Sequence, residues 1–466
     1  MNNASLAGVV GKGTAWLAGT TVLLKGVGFI SIFIILTHLS VYEYGFAELV
    51  ITAVPLLSIF LLPGLGPTVI ADMAAAKGRG DIAEMKGLLF SFTGLLVCLS
   101  VVAWALVFFG ADILAVWYHN PSAVLLFKIV SFSFLISPWR TFAQVLQSVY
   151  LRFRQQSMQS ISEEVWKLIL LCVFLLGLHM GPTGLVYAIV LSPFLSLLTI
   201  AVPLARMDVR FWSTPRKRFS LFHFLFDHGK WAVFSNYLGT FGKNIRPWII
   251  KLFLGTEAVA IYAVAQGLIG HVVSLMPLDT VLKPLLPQYV DTPRKFYQLI
   301  SKAIKYELLG YFVVSVASAI GVPILVAWFF PHYATAIPLF EITLFMLVSS
   351  AFDAVFTGAF FALQAQRSMF WASLYKLVLI IILLPPFMHY FGLWGIAYAN
   401  ILSNSLYVWE RYLKLKKLMP GFRLSFRSFV TIDELDRVIM QRIVQFVARA
   451  PGLGFLLQHS ANTPAK

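Results

Sequence analysis

Charged side chains inside long apolar segments carry most of the chemical information in this sequence. Asp353 is the one acid assigned near the centre of a predicted span, whereas five bases have a similar depth: Lys25, Arg140, Lys243, Arg246 and Lys376. Each charge at a helix centre costs about 2.5–3.5 kcal/mol to insert, so several together require a functional reason. One carboxylate cannot neutralise five bases. The predicted interior is therefore positive and suited to an anion such as phosphate.

The spacing of these residues places them on defined helix faces. Gln144 lies one turn from Arg140, and Lys243 and Arg246 lie three residues apart. We expect Asp353 to bind a coupling cation, or to gate the site by pairing with a base. The substrate-binding residues are predicted to be Lys25, Arg140, Gln144, Lys243, Arg246 and Lys376. The structural alternative is that Lys25 and Lys376 extend to the membrane surface, or that Asp353 forms an ordinary buried ion pair.

The composition places these charges in a membrane protein. Of 466 residues, 59% are hydrophobic and 12% are charged, whereas a soluble protein has about 25% charged residues. Apolar runs of about 18 residues or more predict an all-α polytopic membrane protein of about twelve spans. These spans lie near 14–37, 46–71, 87–109, 123–150, 160–178, 183–205, 231–254, 258–282, 304–330, 336–362, 369–388 and 392–413.

The loops between the predicted spans alternate in basic charge. Lys and Arg are absent from the loops near 38–45, 110–122, 179–182, 255–257, 331–335 and 389–391, whereas the intervening loops are basic. Basic loops stay in the cytoplasm, so both termini are predicted to be cytoplasmic. The net charge of +16 is then largely a consequence of topology, and it does not indicate binding to nucleic acid.

The longest internal polar stretch divides the spans into two pseudo-symmetric bundles of six. The predicted organisation is a cytoplasmic N-terminus (1–13), a first bundle (14–205), a basic cytoplasmic linker (206–230), a second bundle (231–413) and a cytoplasmic tail with an amphipathic helix (414–466). Residues 39–47 (LSVYEYGFA) echo residues 254–263 (LGTEAVAIYA) after the first helix of each half. Such repeats commonly form a substrate site at their interface.

No arrangement of residues in the sequence indicates catalysis. Metal-binding, nucleotide-binding and nucleophile motifs are absent, and Cys98 and Cys172 both lie in apolar runs. Glu163 and Glu164 are interpreted as solvated acids at the start of the fifth helix. The sequence therefore predicts a protein that is not an enzyme and that needs no cofactor.

These features resemble the Wzx-type polysaccharide or O-antigen flippases of the multidrug/oligosaccharidyl-lipid/polysaccharide (MOP) exporter superfamily. The resemblance covers about residues 10–414. It rests on residues 39–45 (LSVYEYG), 64–66 (GLG) and 77–81 (KGRGD), and most of all on residues 254–265 (LGTEAVAIYAVA) between the seventh and eighth helices. Ser40 stands where the family usually has glycine.

The resemblance implies alternating access between two six-helix bundles. It implies an undecaprenyl-pyrophosphate-linked oligosaccharide as the substrate, moved from the cytoplasmic to the periplasmic leaflet of the bacterial inner membrane. Membrane lipids, a polysaccharide polymerase and a chain-length regulator are the further partners that it implies. Basic residues in the interior of the family bind the pyrophosphate, and the matching positions are Lys25, Arg140, Lys243 and Arg246.

Three other classes of membrane protein fit the sequence less well. A multidrug or organic-cation antiporter of the same superfamily requires an acidic cavity, whereas this interior is predicted to be basic. A polysaccharide polymerase or ligase uses an extended outer loop that bears Arg and His, whereas the base-free loops here are short. A structural scaffold gives no reason for five buried bases.

The charge pattern predicts the outcome of reporter fusions. A reporter fused after Lys417 should behave as cytoplasmic and one fused near Asn120 as external, because basic loops remain in the cytoplasm. Paired fusions to alkaline phosphatase and to green fluorescent protein measure this, since each is active on only one side. An external signal at Lys417 would contradict the predicted topology.

Overall fold

The computed structural model describes residues 20, 23–57, 65–118, 120–205, 212–215, 217, 230–274, 286–290, 292–363 and 365–424. Within these ranges the regular structure is helical, with no β-strand. The predicted N-terminal segment 1–13 and the predicted amphipathic helix of the tail lie outside the described residues.

The first half of the chain contains eight described α-helices. They are α1 (Leu23–His38), α2 (Val41–Leu57), α3 (Leu65–Gly78), α4 (Ile82–Phe109), α5 (Ala111–Tyr118), α6 (Ala123–Val149), α7 (Phe153–Leu171) and α8 (Gly181–Ala205). A π-helical turn, Cys172–Gly177, continues α7. Both α2 and α3 overlap the second predicted span (46–71), but α2 begins before it and α3 ends beyond it.

The second half contains seven described α-helices. They are α9 (Lys230–Leu254), α10 (Thr256–Ser274), α11 (Pro293–Phe329), α12 (Ala336–Leu344), α13 (Met346–Ala362), α14 (Gln366–Phe391) and α15 (Leu393–Leu418). Short 3-10 turns lie at Leu286–Tyr289 and Pro331–Tyr333. The helices α12 and α13 are bent by 48° and correspond to one predicted span.

The predicted all-α, two-bundle architecture is confirmed. Among the described helices, six are each long and apolar enough to cross a membrane, or seven when α12 and α13 count as one. Helices α7 and α9 are long enough but not apolar enough to be counted, because both contain charged and polar residues. Two boundaries were predicted too late, because α7 begins at Phe153 and α11 at Pro293 with polar first turns. At 1.5 Å per residue, the 37 residues of α11 span about 55 Å, which exceeds the hydrocarbon core.

The two halves share an apolar core at one end and have separate cores at the other. We call the end formed by the loops without Lys or Arg the base-free face, and the opposite end the basic face. The shared core includes Leu49 of α2 and Val259 of α10. Near the basic face, one core packs α3 against α4 and α6, and a second packs α11 against α13 and α15. The halves are thus joined most closely at the base-free face.

Backbone contact between α2 and α10 closes the base-free face. A Cβ atom on Gly45 would lie only 2.2 Å from the carbonyl oxygen of Thr256, so glycine is required there. Nearby, the Tyr333 hydroxyl donates a hydrogen bond to the carbonyl oxygen of Leu39 over 3.2 Å. Burial, and then the Glu43 carboxylate, raise the pKa of Tyr333 above its usual value. The hydroxyl therefore stays protonated and continues to donate.

At the basic face, a short piece of the linker is fixed to the first half. The Lys86 ammonium donates to the carbonyl oxygens of Trp212 and Thr214 over 2.7 and 2.8 Å, and Lys217 forms a 3.1 Å ion pair with Asp81. Asp81 also caps α4 by accepting from the Glu84 amide. This hydrogen bond, followed by the contact with Lys217, lowers the pKa of Asp81.

Substitution of Gly45 by Ala should open the base-free face. The added Cβ would overlap the backbone of α10, and an overpacked contact costs about 1–3 kcal/mol, equivalent to a shift of roughly five- to a hundredfold in the equilibrium. The measurement is the rate at which a membrane-impermeant maleimide labels Leu39→Cys, after Cys98 and Cys172 have been replaced by Ala. Gly45→Ala should raise this rate.

The matched control is Gly267→Ala on α10, where an added Cβ meets no atom within 4 Å. This control should label at the parental rate. Equal labelling of the Gly45→Ala and Gly267→Ala proteins would show that the contact does not hold the face closed.

Candidate functional site

A cavity of about 570 Å³ lies between α1, α7 and α8 of the first half and α10 of the second half. Lys25 of α1 lines it from the first half of the chain, and His271 of α10 lines it from the second half. Ser192 of α8 also lines it. The α7 residues Glu163 and Glu164 complete the charged lining together with Lys167. The cavity therefore combines apolar walls with a compact group of ionisable side chains.

Two ion pairs neutralise the carboxylates at this cavity. Arg140 reaches from α6 and pairs with Glu163, with 3.0 Å between Nη2 and Oε2. Glu164 pairs with Lys167 one turn along α7. Within the described part of the chain, Lys25 has no ion-pair partner. The fixed charges of the cavity are therefore two neutral pairs and one surplus cation.

The interpretation of Glu163 and Glu164 as solvated acids at a helix start was wrong. Helix α7 begins at Phe153, so both residues lie about three turns inside it. The polar run 153–160 (FRQQSMQS) is helical although it is not apolar, which is why hydropathy placed the helix start too late.

A second charged cluster lies in the other half, between α13 and α15. Asp353 of α13 forms an ion pair with Arg411 of α15. The Arg411 guanidinium also donates to the Thr357 hydroxyl oxygen over 2.9 Å and to the Tyr407 hydroxyl oxygen over 3.0 Å. Arg411 is 1% exposed, so its charge depends on these partners.

The remaining predicted residues surround this cluster or lie outside both groups. The Lys376 ammonium lies 4.3 Å from the centre of the Tyr407 ring, a cation–π distance. The positive charge of Arg246 repels that of Lys376. Lys243 is exposed on α9. The positive charge of Lys243 attracts the carboxylate of Glu48 on α2.

The structure thus divides the predicted site residues between the two halves. Lys25 lines the first cavity, and Arg140 pairs with Glu163 in its wall, with Gln144 one turn from Arg140 on α6. Arg246, Lys376 and Asp353 belong to the second cluster. The described residues show no single cavity that holds all of the predicted bases.

Arg411 was not among the predicted site residues, and the acids within the spans were undercounted. Asp353 is not alone, because Glu163 neutralises Arg140 and Glu48 also lies within a span. A signal for Arg411 was available: polar residues recur at helical spacing along α15 and are buried, namely Asn400, Ser403, Asn404, Tyr407 and Arg411. Such a polar stripe in an apolar helix indicates a packed seam rather than a helix end.

Three solved transporter structures have a similar arrangement of helices. An inward-facing multidrug resistance transporter of the MATE family in the MOP superfamily aligns with 85% of this chain and 96% of its own, with a TM-score of 0.71 at 16% identity. An outward-facing form gives a TM-score of 0.63 over 87% and 96% of the two chains, also at 16% identity.

A third similar structure is a MOP superfamily transporter from Pyrococcus furiosus, described as having a binding pocket of reverse polarity that suggests a different function. It has a TM-score of 0.63 and 16% identity, over 87% of this chain and 96% of that one. No curated protein matches the chain by sequence. These similarities show a MATE-like transporter fold with two bundles.

The amino-acid sequence shows the family to which the chain belongs. Residues 10–290, more than half of the chain, match the family described as polysaccharide biosynthesis protein. The chain belongs to this family. It is therefore a multi-pass membrane protein of the transporter type, related to polysaccharide biosynthesis.

The buried pair of Asp353 and Arg411 should behave as a stabilising unit. Asp353→Asn or Arg411→Gln alone should destabilise the protein by about 3–5 kcal/mol, because each leaves one charge without its partner. The double variant should recover much of this loss, because no unpaired charge remains. The apparent melting temperature of the purified protein in nanodiscs measures the effect.

Lys414→Gln serves as the control, because it removes the single-turn pair with Glu410 on the same helix. Its cost should stay below about 1 kcal/mol. A double variant that is less stable than both single variants would contradict the role of the pair.

Proposed function

We propose that this protein is a flippase for an undecaprenyl-pyrophosphate-linked oligosaccharide. It moves the lipid-linked glycan from the cytoplasmic to the periplasmic leaflet of the bacterial inner membrane, for O-antigen, capsule or exopolysaccharide synthesis. The basic face is cytoplasmic, as the loop charges predict. The proposal is supported by the polysaccharide biosynthesis family and by the transporter fold. A polysaccharide polymerase and a chain-length regulator are its proposed partners.

The polarity of the first cavity is the observation that carries this proposal. Its carboxylates Glu163 and Glu164 are each held by a base, and Lys25 remains as the surplus cation. A pyrophosphate group satisfies such a charge, and it also benefits from bidentate contact with an arginine. The closed base-free face and the separate cores at the basic face suit entry of the substrate from the basic side.

The proposed contacts come from both halves. Lys25, Arg140 and Gln144 meet the lipid-linked substrate from the first half, and Lys243, Arg246 and Lys376 meet it from the second. Asp353 gates the second cluster through its pair with Arg411. Full transport by the stable double variant Asp353→Asn with Arg411→Gln would remove this role from Asp353.

Export of organic cations is the second candidate function, because the similar solved structures include multidrug resistance transporters. Such a substrate requires an available negative charge. In the first cavity both carboxylates are in ion pairs, which favours an anion. Drug sensitivity of the same strains therefore belongs in the test below.

Removal of the α9 charges should abolish transport. Lys243 and Arg246 project from one face of α9 about a turn apart. Each charge-assisted contact is worth about 1.5–3 kcal/mol, or roughly ten- to a hundredfold in binding. The double reversal Lys243→Glu with Arg246→Glu should therefore fail to restore surface glycan in a strain that lacks its own flippase. Arg246→Lys should be milder than Arg246→Ala, because only the charge is kept.

Two further variants make this test specific. Lys25→Gln should reduce glycan at equal membrane expression. Lys128→Gln should not, because Lys128 lies in an apolar groove on another side of α6, against the ring of Phe108. If the double reversal restores the glycan, the cationic mechanism on this face is wrong. If glycan is unaffected while drug resistance changes, the antiporter function is supported instead.

A further inference from the structure

Buried amide side chains form a row between the basic face and the ion pair of Arg140 with Glu163. On α7, Gln155, Gln159 and Glu163 are spaced four residues apart and share one helix face. On α6, Gln147 lies two turns beyond Arg140, toward the basic face. The two charged residues lie about 14–15 Å from the basic ends of their helices. The row thus leads from the basic face to the middle of the first half.

Polar atoms along this row lack hydrogen-bond partners within the described protein. Gln147 is 1% exposed and Gln159 is 2% exposed, so bulk solvent does not reach them directly. The atoms without a partner are Gln147 Oε1, Gln155 Oε1, Gln159 Oε1, Gln159 Nε2 and Arg140 Nε. Buried polar groups are almost always satisfied, because leaving them unpaired is costly. A molecule that both donates and accepts hydrogen bonds is therefore required along the row.

A small cavity provides the space for this molecule at the basic end of the row. It measures about 90 Å³ and is lined by Gln147, Gln155, Ser162 and Thr199. Because a buried water needs about 10–15 Å³ of such volume and two to four polar partners, several waters fit. Ser162 precedes Glu163, which lines the 570 Å³ cavity. Consecutive residues of α7 thus line the two cavities, Ser162 the small one and Glu163 the charged one.

We propose that the row holds a file of buried water through which Glu163 exchanges protons with the basic face. A hydronium ion in the file transfers its proton to Oε2 of Glu163 and becomes water, and the carboxyl becomes neutral. The neutral acid no longer neutralises Arg140, whose charge is then available to an anion. This step deepens the proposed function and rests on it, since the anion is the substrate pyrophosphate.

The surroundings of Glu163 make it the carboxylate whose protonation releases Arg140. The titratable groups that face it or line its cavity in the described structure are Arg140, Glu164, Lys167, Lys25 and His271. Of the two carboxylates, Glu164 pairs with Lys167 on its own helix, whereas Glu163 holds a base from another helix. Only the loss of charge on Glu163 therefore releases Arg140.

Cysteine labelling tests whether the row is hydrated. In a protein with Cys98 and Cys172 replaced by Ala, Ser162→Cys should react with a small water-soluble methanethiosulfonate added to the basic face. Ser91→Cys is the matched control: Ser91 is partly buried like Ser162 and also lies nine residues from the basic end of its helix, but it is on α4 outside the row. We expect reaction at Ser162→Cys to be at least tenfold faster. Equal rates at the two positions would overturn the proposal.

Apolar substitutions in the row provide a second part of this test. Gln147→Leu or Gln159→Leu removes polar partners of the water, so it should slow the labelling of Ser162→Cys severalfold. Labelling of Ser162→Cys that is unchanged in both variants would mean that the reagent arrives by another route and would overturn the file.

Binding of undecaprenyl pyrophosphate to the full-length protein in nanodiscs tests the switch. The affinity of the parent protein should rise about tenfold as the pH falls from 8 to 5. Glu163→Gln, which mimics the neutral acid, should bind tightly at every pH. Binding without pH dependence in the parent would overturn the switch but leave the proposed function standing. An absence of binding at every pH, with Ser162→Cys still reactive, would refute the proposed substrate and leave the hydrated row in place.

Discussion

A charge in the membrane interior must be paired or hydrated, and this constraint organises both functional clusters. Arg140 is stabilised by Glu163 across α6 and α7, and Arg411 by Asp353 across α13 and α15. Each pair links neighbouring helices within one half of the protein. Because breaking such a pair leaves an uncompensated charge, the pairs hold their helices in register. The charges that remain after this pairing, above all Lys25, set the polarity available to a substrate.

The same division into halves appears in the packing. The two halves meet through a shared apolar core and a glycine contact at the base-free face, while each keeps its own core near the basic face. Movement of rigid halves about a tight contact at one end suits alternating access. Ion pairs confined within each half would survive such a movement. The charged residues can therefore keep their partners while the opening between the halves changes.

Hydropathy and loop charge were sufficient to predict the spans, because lipid requires apolar length and internally satisfied backbone whatever the tertiary contacts are. The candidate site was less predictable. Arg140 was identified, but its partner Glu163 was assigned to solvent, since a polar first turn conceals where a membrane helix begins. Arg411 was overlooked because it lies close to the predicted end of its helix. A base at such a position usually reflects only the orientation of the helix in the membrane. Its burial depends on α13, which no local pattern reveals.

The sequence by itself determined the helices, their order, the division into two halves and the alternation of basic and base-free loops. These follow from periodicity and composition, which are local properties of the chain. Only the tertiary structure decided which charges are neutralised and which remain. Pairing depends on the distance between residues such as Asp353 and Arg411, which lie far apart in sequence and are brought together by helix packing. Electrostatic energy depends on that distance and on burial, and neither is a property of the sequence alone.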